Sequence, residues 1–220
     1  MNKAIICIDR DGTLIHDSRE HLFLGSDNNW PEKVKILPNA IEGVRRLNTI
    51  AGAGIYMITN QPGVAISDFA LLTEGRAREV CRFVVEMFKD SGARLDGYFL
   101  CPHATPKYVS RKPGTNFHPH LVHDCHCLKP GLGMVFNALK AEGITPENAD
   151  IYVIGDRASD IRTALKIDGT GILIPFVNEP GELAKIKLLG KQGQIYVAET
   201  MFTAAEYIVS QVGKKSASHV

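Results

Sequence analysis

Residues 5–13 read Ile-Ile-Cys-Ile-Asp-Arg-Asp-Gly-Thr: four apolar residues, then two acids one residue apart, Asp9 and Asp11, then glycine. A short, unbroken apolar run is a strand buried on both faces, which places it inside a parallel sheet covered by helices. Two carboxylates this close repel unless a cation or a shared proton relieves them. A solvated strand-to-loop turn is the plainer alternative, but Asn or Ser would serve such a turn equally well. A divalent cation accounts for the pair, and magnesium, held by one or two carboxylates plus substrate phosphate, points to phosphoryl chemistry.

Apolar runs at 4–8, 55–58, 98–100, 151–154 and 171–174, and a weaker one at 195–197, alternate with helical patterns at 39–50, 71–91, 132–142, 159–166, 182–189 and 200–211. That alternation predicts an α/β sandwich of three layers around a mostly parallel sheet, Rossmann-like in plan. In such sheets ligands bind outside the carboxyl ends of the strands. Polar residues follow the apolar runs there: Asp9 and Asp11 after the first, Thr59 and Asn60 after the second, Gly155 and Asp156 after the fourth. Residues 16–37 and 104–124 lack periodicity and read as long loops, which in compact domains are functional or disordered. Residues 213–218 have no apolar anchor and predict a frayed tail. The expected organisation is one domain over 1–212, with a tail at 213–220.

With 220 residues and a formal charge of +1, the chain has length enough for a full core and no basic footprint for nucleic acid or a membrane surface. Its partner is expected to be small. It carries no apolar stretch near the roughly 20 residues of a membrane span and opens directly into a strand, which favours the cytoplasm. Lys129, in Cys127-Leu128-Lys129-Pro130-Gly131 just ahead of a helical pattern, is a candidate to neutralise a phosphoryl group, with a solvated surface lysine as the plainer alternative.

Asp9-Arg10-Asp11-Gly12-Thr13, Thr59-Asn60-Gln61, Lys129-Pro130 and Gly155-Asp156 with Asp160 resemble, in order, the four motifs of the haloacid dehalogenase superfamily of phosphatases. The resemblance implies that Asp9 is a nucleophile forming an aspartyl-phosphate and Asp11 a general acid and then base. Thr59 and Lys129 would bind the transferring group. Mg2+ would be held by Asp9, Asp156 and the Asp11 backbone carbonyl, with Asp160 supporting that set from outside it.

Cys101-Pro102-His103 and Cys125-His126-Cys127 supply a Cys-x-His and a Cys-x-Cys pair, a set suited to closed, tetrahedral, structural Zn2+. Cys101, His103, Cys125 and Cys127 are therefore expected to clasp a loop over 101–127, with His126, His118, His120 and His123 as competing ligands. Chance clustering of reduced cysteines is the alternative. Such a loop before Lys-Pro is similar to one branch of the superfamily, containing heptose 1,7-bisphosphate 7-phosphatases and histidinol-phosphate phosphatases, usually without a large cap. That likeness implies substrate contacts from Asp17, Ser18, Arg19 and Glu20, from Asn60, from position 128 and from Arg157.

The branch commonly has Arg at position 128, and Leu128 cannot make its bidentate phosphate contact. Arg111, Lys112 or His118 are candidate replacements. The expected activity is Mg2+-dependent removal of the 7-phosphate of D-glycero-D-manno-heptose 1,7-bisphosphate by a monomer. Histidinol phosphate or a broader set of small metabolites is the alternative. A polynucleotide phosphatase, which would need a basic channel, and a catalytically silent zinc-bearing binding module are more remote.

Overall fold

Six apolar runs form six parallel strands: β1 (Lys3–Asp9), β2 (Gly54–Asn60), β3 (Gly97–Cys101), β4 (Ala149–Gly155), β5 (Thr170–Leu173) and β6 (Ile195–Val197). They lie in the order β3-β2-β1-β4-β5-β6 in a computed structural model that describes residues 2–16, 23–176, 181–189 and 192–217. The chain starts at the middle of the sheet, builds outward to β3 and returns to β4 on the other side of β1. Where the winding reverses, between β1 and β4, the crossovers diverge and leave a crevice at the carboxyl ends. Register brings the chemistry to one rim, because Asp9 pairs with Ile58, one residue before Thr59, and Ile8 pairs with Ile154, two before Asp156.

Around the sheet lie α1 (Trp30–Lys33), α2 (Ala40–Leu47), α3 (Glu74–Asp90), α4 (Pro106–Ser110), α5 (Gly133–Ala141), α6 (Ala158–Lys166), α7 (Glu182–Lys187) and α8 (Met201–Ala217). Side chains of β1 alternate between two cores. Ala4, Ile6 and Ile8 join a cluster with Val44 and Leu47 of α2, Val80, Val84 and Phe88 of α3, and Ala204, Ala205 and Ile208 of α8. Ile5 and Cys7 join another with Met134, Val135 and Ala138 of α5. Each fully buried Ile contributes roughly 1.5–3 kcal/mol, so both faces demand apolar residues and the strand reads as a run instead of an alternation. Gly43 lets α2 and α8 meet, since a Cβ there would lie 2.7 Å from the Met201 backbone.

Several boundaries differ from the sequence reading. Asn39 adopts a left-handed conformation (φ 64°) and precedes α2 instead of opening it. Thr73 caps α3, its hydroxyl accepting from Arg76 N–H at 3.1 Å, so Leu71 and Leu72 fall outside the helix. The long loops are partly ordered by α1 and α4, and Thr105 caps α4 by accepting from Tyr108 N–H at 3.1 Å. The tail expected from residue 213 is helical through Ala217. Lys215 pairs with Asp150 at 2.7 Å, and lysines suit the negative end of a helix. Among the described residues no helix is long and apolar enough to cross a membrane.

Candidate active site

Asp9 ends β1, Thr59 and Asn60 end β2, and Asp156 follows β4. The first turn of α6 adds Asp160, and the segment before α5 adds Lys129. The Lys129 ammonium lies 2.6 Å from Asp9 Oδ1 and 2.6 Å from Asp160 Oδ1. Its backbone is held by Asn60, whose Oδ1 accepts from Lys129 N–H at 2.9 Å and whose Nδ2 donates to Lys129 O at 3.2 Å. Asn60 lines the cavity, as a substrate contact would, yet its amide is committed to holding this lysine. Asp160 Oδ2 accepts from Arg157 N–H at 3.2 Å, which anchors the acid to its own helix start.

Two glycines make the packing possible. A Cβ at Gly12, where φ is +84°, would sit 2.5 Å from Asp156 Oδ2, and one at Gly155 would sit 2.2 Å from Asp160 Cγ. Asp9, Asp156 and Asp160 are all buried and offer ligand atoms within 4.8 Å of one another. Both Asp156 oxygens are buried without a hydrogen-bond donor among the described residues. Burial pushes the Asp156 carboxyl up to about 9, helped by the charges of Asp9 and Asp160. Burial likewise raises Asp9 to about 6 against the pull of Lys129. Burial opposes the charge on Lys129, but Asp160 and Asp9 more than offset it and hold the ammonium protonated. Three buried acids around one ammonium, with both Asp156 oxygens lacking a hydrogen-bond donor and Oδ2 met only by the Arg157 guanidinium at 3.7 Å among the described residues, form a hard-oxygen set that fits a divalent cation.

Asp11 turns to different partners. Its carboxylate receives Arg10 Nε at 3.0 Å and Nη2 at 2.9 Å, Gln61 Nε2 at 2.8 Å, and the Thr59 hydroxyl at 3.4 Å. Sequence reasoning singled out neither Arg10 nor Gln61. The one available signal was a charged residue at the end of an otherwise apolar strand.

Asp9, Asp11, Thr59 and Lys129 line a cavity of about 570 Å³. Phe23, Leu24, Tyr108 and Leu128 form its apolar wall, and Lys33, Arg157 and His16 add cationic or titratable groups. Leu128 and Arg157 are thus at the cavity, as the sequence suggested. Lys33, His16 and Tyr108 were not named individually, although they lie in the loops 16–37 and 104–124 that were expected to shape the pocket. Asp17, Ser18, Arg19 and Glu20 lie outside the described residues. Arg111, Lys112 and His118 do not line the cavity. The cavity takes Thr105 and Tyr108 from this loop instead, while Lys112 lies over the Tyr108 ring at 5.2 Å and His118 N–H is bonded to Ala65 O at 2.8 Å.

A second cluster joins the end of β3 to the segment before Lys129. Cys101 Sγ lies 3.5 Å from Cys125 Sγ and 2.9 Å from Cys127 Sγ, while His103 Nδ1 is 3.6 Å from Cys101 Sγ and 3.2 Å from Cys127 Sγ. These four, and not His126, His118, His120 or His123, form a metal-competent group among the described residues. The His123 ring packs on His103 with centroids 4.3 Å apart. Burial raises the Cys101 thiol well above its ordinary value, and Cys127 adds to the effect, so a soft cation would relieve both. The cluster adjoins the cavity, which His103 lines, and Cys101 O accepts from Gln61 N–H at 2.7 Å.

No family model matches the chain. Among curated proteins, it is 30% identical over 172 residues to the histidine biosynthesis bifunctional protein HisB of Blochmanniella floridana, covering 78% of this chain but only 41% of that protein. It is also 30% identical over 157 residues to the D-glycero-beta-D-manno-heptose-1,7-bisphosphate 7-phosphatase of Rhodopseudomonas palustris, covering 71% of this chain and 75% of that one. Among solved structures, the D,D-heptose 1,7-bisphosphate phosphatase of B. bronchiseptica, complexed with magnesium and phosphate, superposes with a TM-score of 0.69. That match is 23% identical and covers 94% of this chain and 99% of the other, a likeness of fold. With the four motifs converging at one strand rim and a relative matched over three-quarters of its length, the chain belongs to the haloacid dehalogenase superfamily of phosphatases, in the branch of these heptose-bisphosphate and histidine-biosynthesis relatives.

Proposed function

We propose that this chain, as a single cytoplasmic unit, hydrolyses a phosphate monoester of a small metabolite through an aspartyl-phosphate on Asp9. The observation that carries this reading is Lys129 bridging Asp9 and Asp160 beside the Asp156 oxygens, which lack a hydrogen-bond donor among the described residues. Asp9 attacks phosphorus, the ester P–O bond breaks, and the electron pair leaves on the alcohol oxygen, which Asp11 protonates. Asp11 then takes a proton from water as the water oxygen bonds phosphorus and the Asp9–P bond breaks, releasing phosphate. Lys129 and Thr59 hold the transferring group, whose charge a fixed ammonium in a dry site stabilises strongly. Asp9, Asp156 and the Asp11 carbonyl would hold Mg2+, with Asp160 turned to Lys129 behind them. Bound there, the ion neutralises phosphoryl charge.

Because those ligands must be ionised to bind, Mg2+ is expected to stabilise the fold more as pH rises. Without metal, raised native pKa values mean that the folded state binds more protons than the unfolded one. Stability then falls as pH climbs from the ordinary carboxylate range through about 6 for Asp9 and about 9 for Asp156. Thermal melts with and without MgCl2 at pH 5.5 and pH 8 should show the larger Mg2+-induced rise at pH 8. Equal rises would contradict the placement of the ion on these acids.

Cys101, His103, Cys125 and Cys127 are assigned structural Zn2+, whose Zn–S bonds of about 2.3 Å imply sulfur edges of about 3.8 Å in a tetrahedron. The observed 3.5 Å between Cys101 and Cys125 sits near that value, and the closer 2.9 Å pair would open slightly around an ion. For substrate, Lys33 and Arg157, which pair within the chain with Asp27 and Asp156, and His16 share the cavity of Asp9 and favour a second phosphate that would take over part of those pairings, hence heptose 1,7-bisphosphate. The apolar wall of Tyr108 and Leu128 favours the second reading, histidinol phosphate, which brings its own cation.

Relative kcat/KM over heptose 1,7-bisphosphate in both anomers, histidinol phosphate and common sugar phosphates discriminates these readings. The expected outcome is a Mg2+-dependent preference of at least about tenfold for one heptose anomer, roughly 1.4 kcal/mol. Preference for histidinol phosphate would replace the first reading with the second, and no hydrolysis at all would leave a binding module.

A further inference from the structure

Arg10 is the largest fully buried side chain among the described residues, 1% exposed, and a guanidinium so placed demands a partner. Its fork closes on Asp11 through Nε and Nη2 at 3.0 and 2.9 Å, while Nη1 reaches the Cys81 sulfur at 3.6 Å beneath α3. From the neighbouring strand end on the same rim Gln61, also buried, donates from Nε2 to Asp11 Oδ2 and to the Thr59 hydroxyl, each at 2.8 Å. The Asp11 side chain itself is 26% exposed at the cavity, where an unheld carboxylate would turn freely in water. The clamp is lopsided. Among the described residues, Oδ2 takes Arg10, Gln61 and the longer Thr59 contact, whereas Oδ1 takes Arg10 Nε.

We infer that Arg10 and Gln61 are positioning residues that lock the Asp11 carboxyl in one orientation and leave Oδ1 as the oxygen that exchanges a proton with the leaving group. The inference rests on the phosphatase reading above. When the ester P–O bond breaks, its electron pair goes to the leaving oxygen, the proton on Oδ1 moves there, and the charge left on Asp11 is already met by the Arg10 fork. A planar fork matches a carboxylate in a way that a lysine ammonium cannot. Neither residue touches the substrate in this scheme; both act through Asp11.

The test compares Gln61→Leu and Arg10→Lys with wild type on two Mg2+-supported substrates, p-nitrophenyl phosphate and glycerol 2-phosphate. p-Nitrophenolate departs without a proton, whereas an alkoxide does not. The expected result is a loss of kcat/KM on glycerol 2-phosphate at least about tenfold larger than on p-nitrophenyl phosphate, within the span of general acid catalysis. In an Asp11→Ala background the same substitutions should add no further discrimination between the esters. Equal losses on both esters, or undiminished discrimination without Asp11, would overturn the clamp. If Arg10→Lys fails to fold, Gln61→Leu, which removes no charge, decides alone. Failure of the wild type to hydrolyse either of these esters or any phosphate ester of the panel above would overturn the phosphatase reading itself, an outcome distinct from loss of the clamp.

Discussion

Asp9→Asn is expected to lower kcat by at least about 10⁴-fold, because an amide cannot form the acyl-phosphate and removal of a covalent nucleophile forfeits the whole two-step route. The fold should survive. Asn keeps the shape of the side chain and an oxygen for the Lys129 ammonium, which remains paired with Asp160 at 2.6 Å. The substitution also removes a carboxylate that burial already pushes up to about 6, so the metal-free melting temperature should stay level or rise by a few degrees. Steady-state rates and thermal melts on the same preparation check both halves. Substantial residual turnover would remove Asp9 from the chemistry.

Cys125→Ser should show the opposite pattern, losing stability as well as rate. Replacing a thiolate with a poorer ligand would release the Zn2+ proposed to tie the end of β3 to the segment carrying Lys129. The expected cost is on the order of 3 kcal/mol, about 10 °C in melting temperature for a chain of this length. kcat/KM should fall by about tenfold or more, because the released segment includes Leu128 and Lys129 of the cavity and the carbonyl of Cys101 supports Gln61. Metal analysis should show one zinc per wild-type chain and none in the variant. Equal thermal stability of Cys125→Ser and Asp9→Asn would contradict the clasp.

The parts legible in the sequence are those fixed by local pattern. Residues 4–8 and 151–154 read as strands because both faces of a parallel sheet are apolar, so the acids that end them stand out. The Cys-x-His and Cys-x-Cys pairs announced themselves by spacing, and the structure gathers the same four side chains. What sequence could not supply depends on tertiary placement. Arg10 follows an acid at a strand end and looks like surface, yet α3 covers it. Lys33, His16 and Tyr108 reach the cavity only because two aperiodic loops fold toward it, and no local signal encodes that direction. The last turn of α8 was missed because its anchor, Asp150, is distant in sequence.

The central claim is a covalent phosphoryl intermediate on Asp9, and chemical trapping tests it most directly. Enzyme mixed with Mg2+ and its best substrate would be quenched during turnover with borohydride, which reduces an acyl-phosphate to an alcohol, and the peptides then mapped by mass spectrometry. The account predicts reduction at Asp9 alone, dependent on substrate. Reduction at another acid, or sustained turnover with Asp9 never modified, would contradict it.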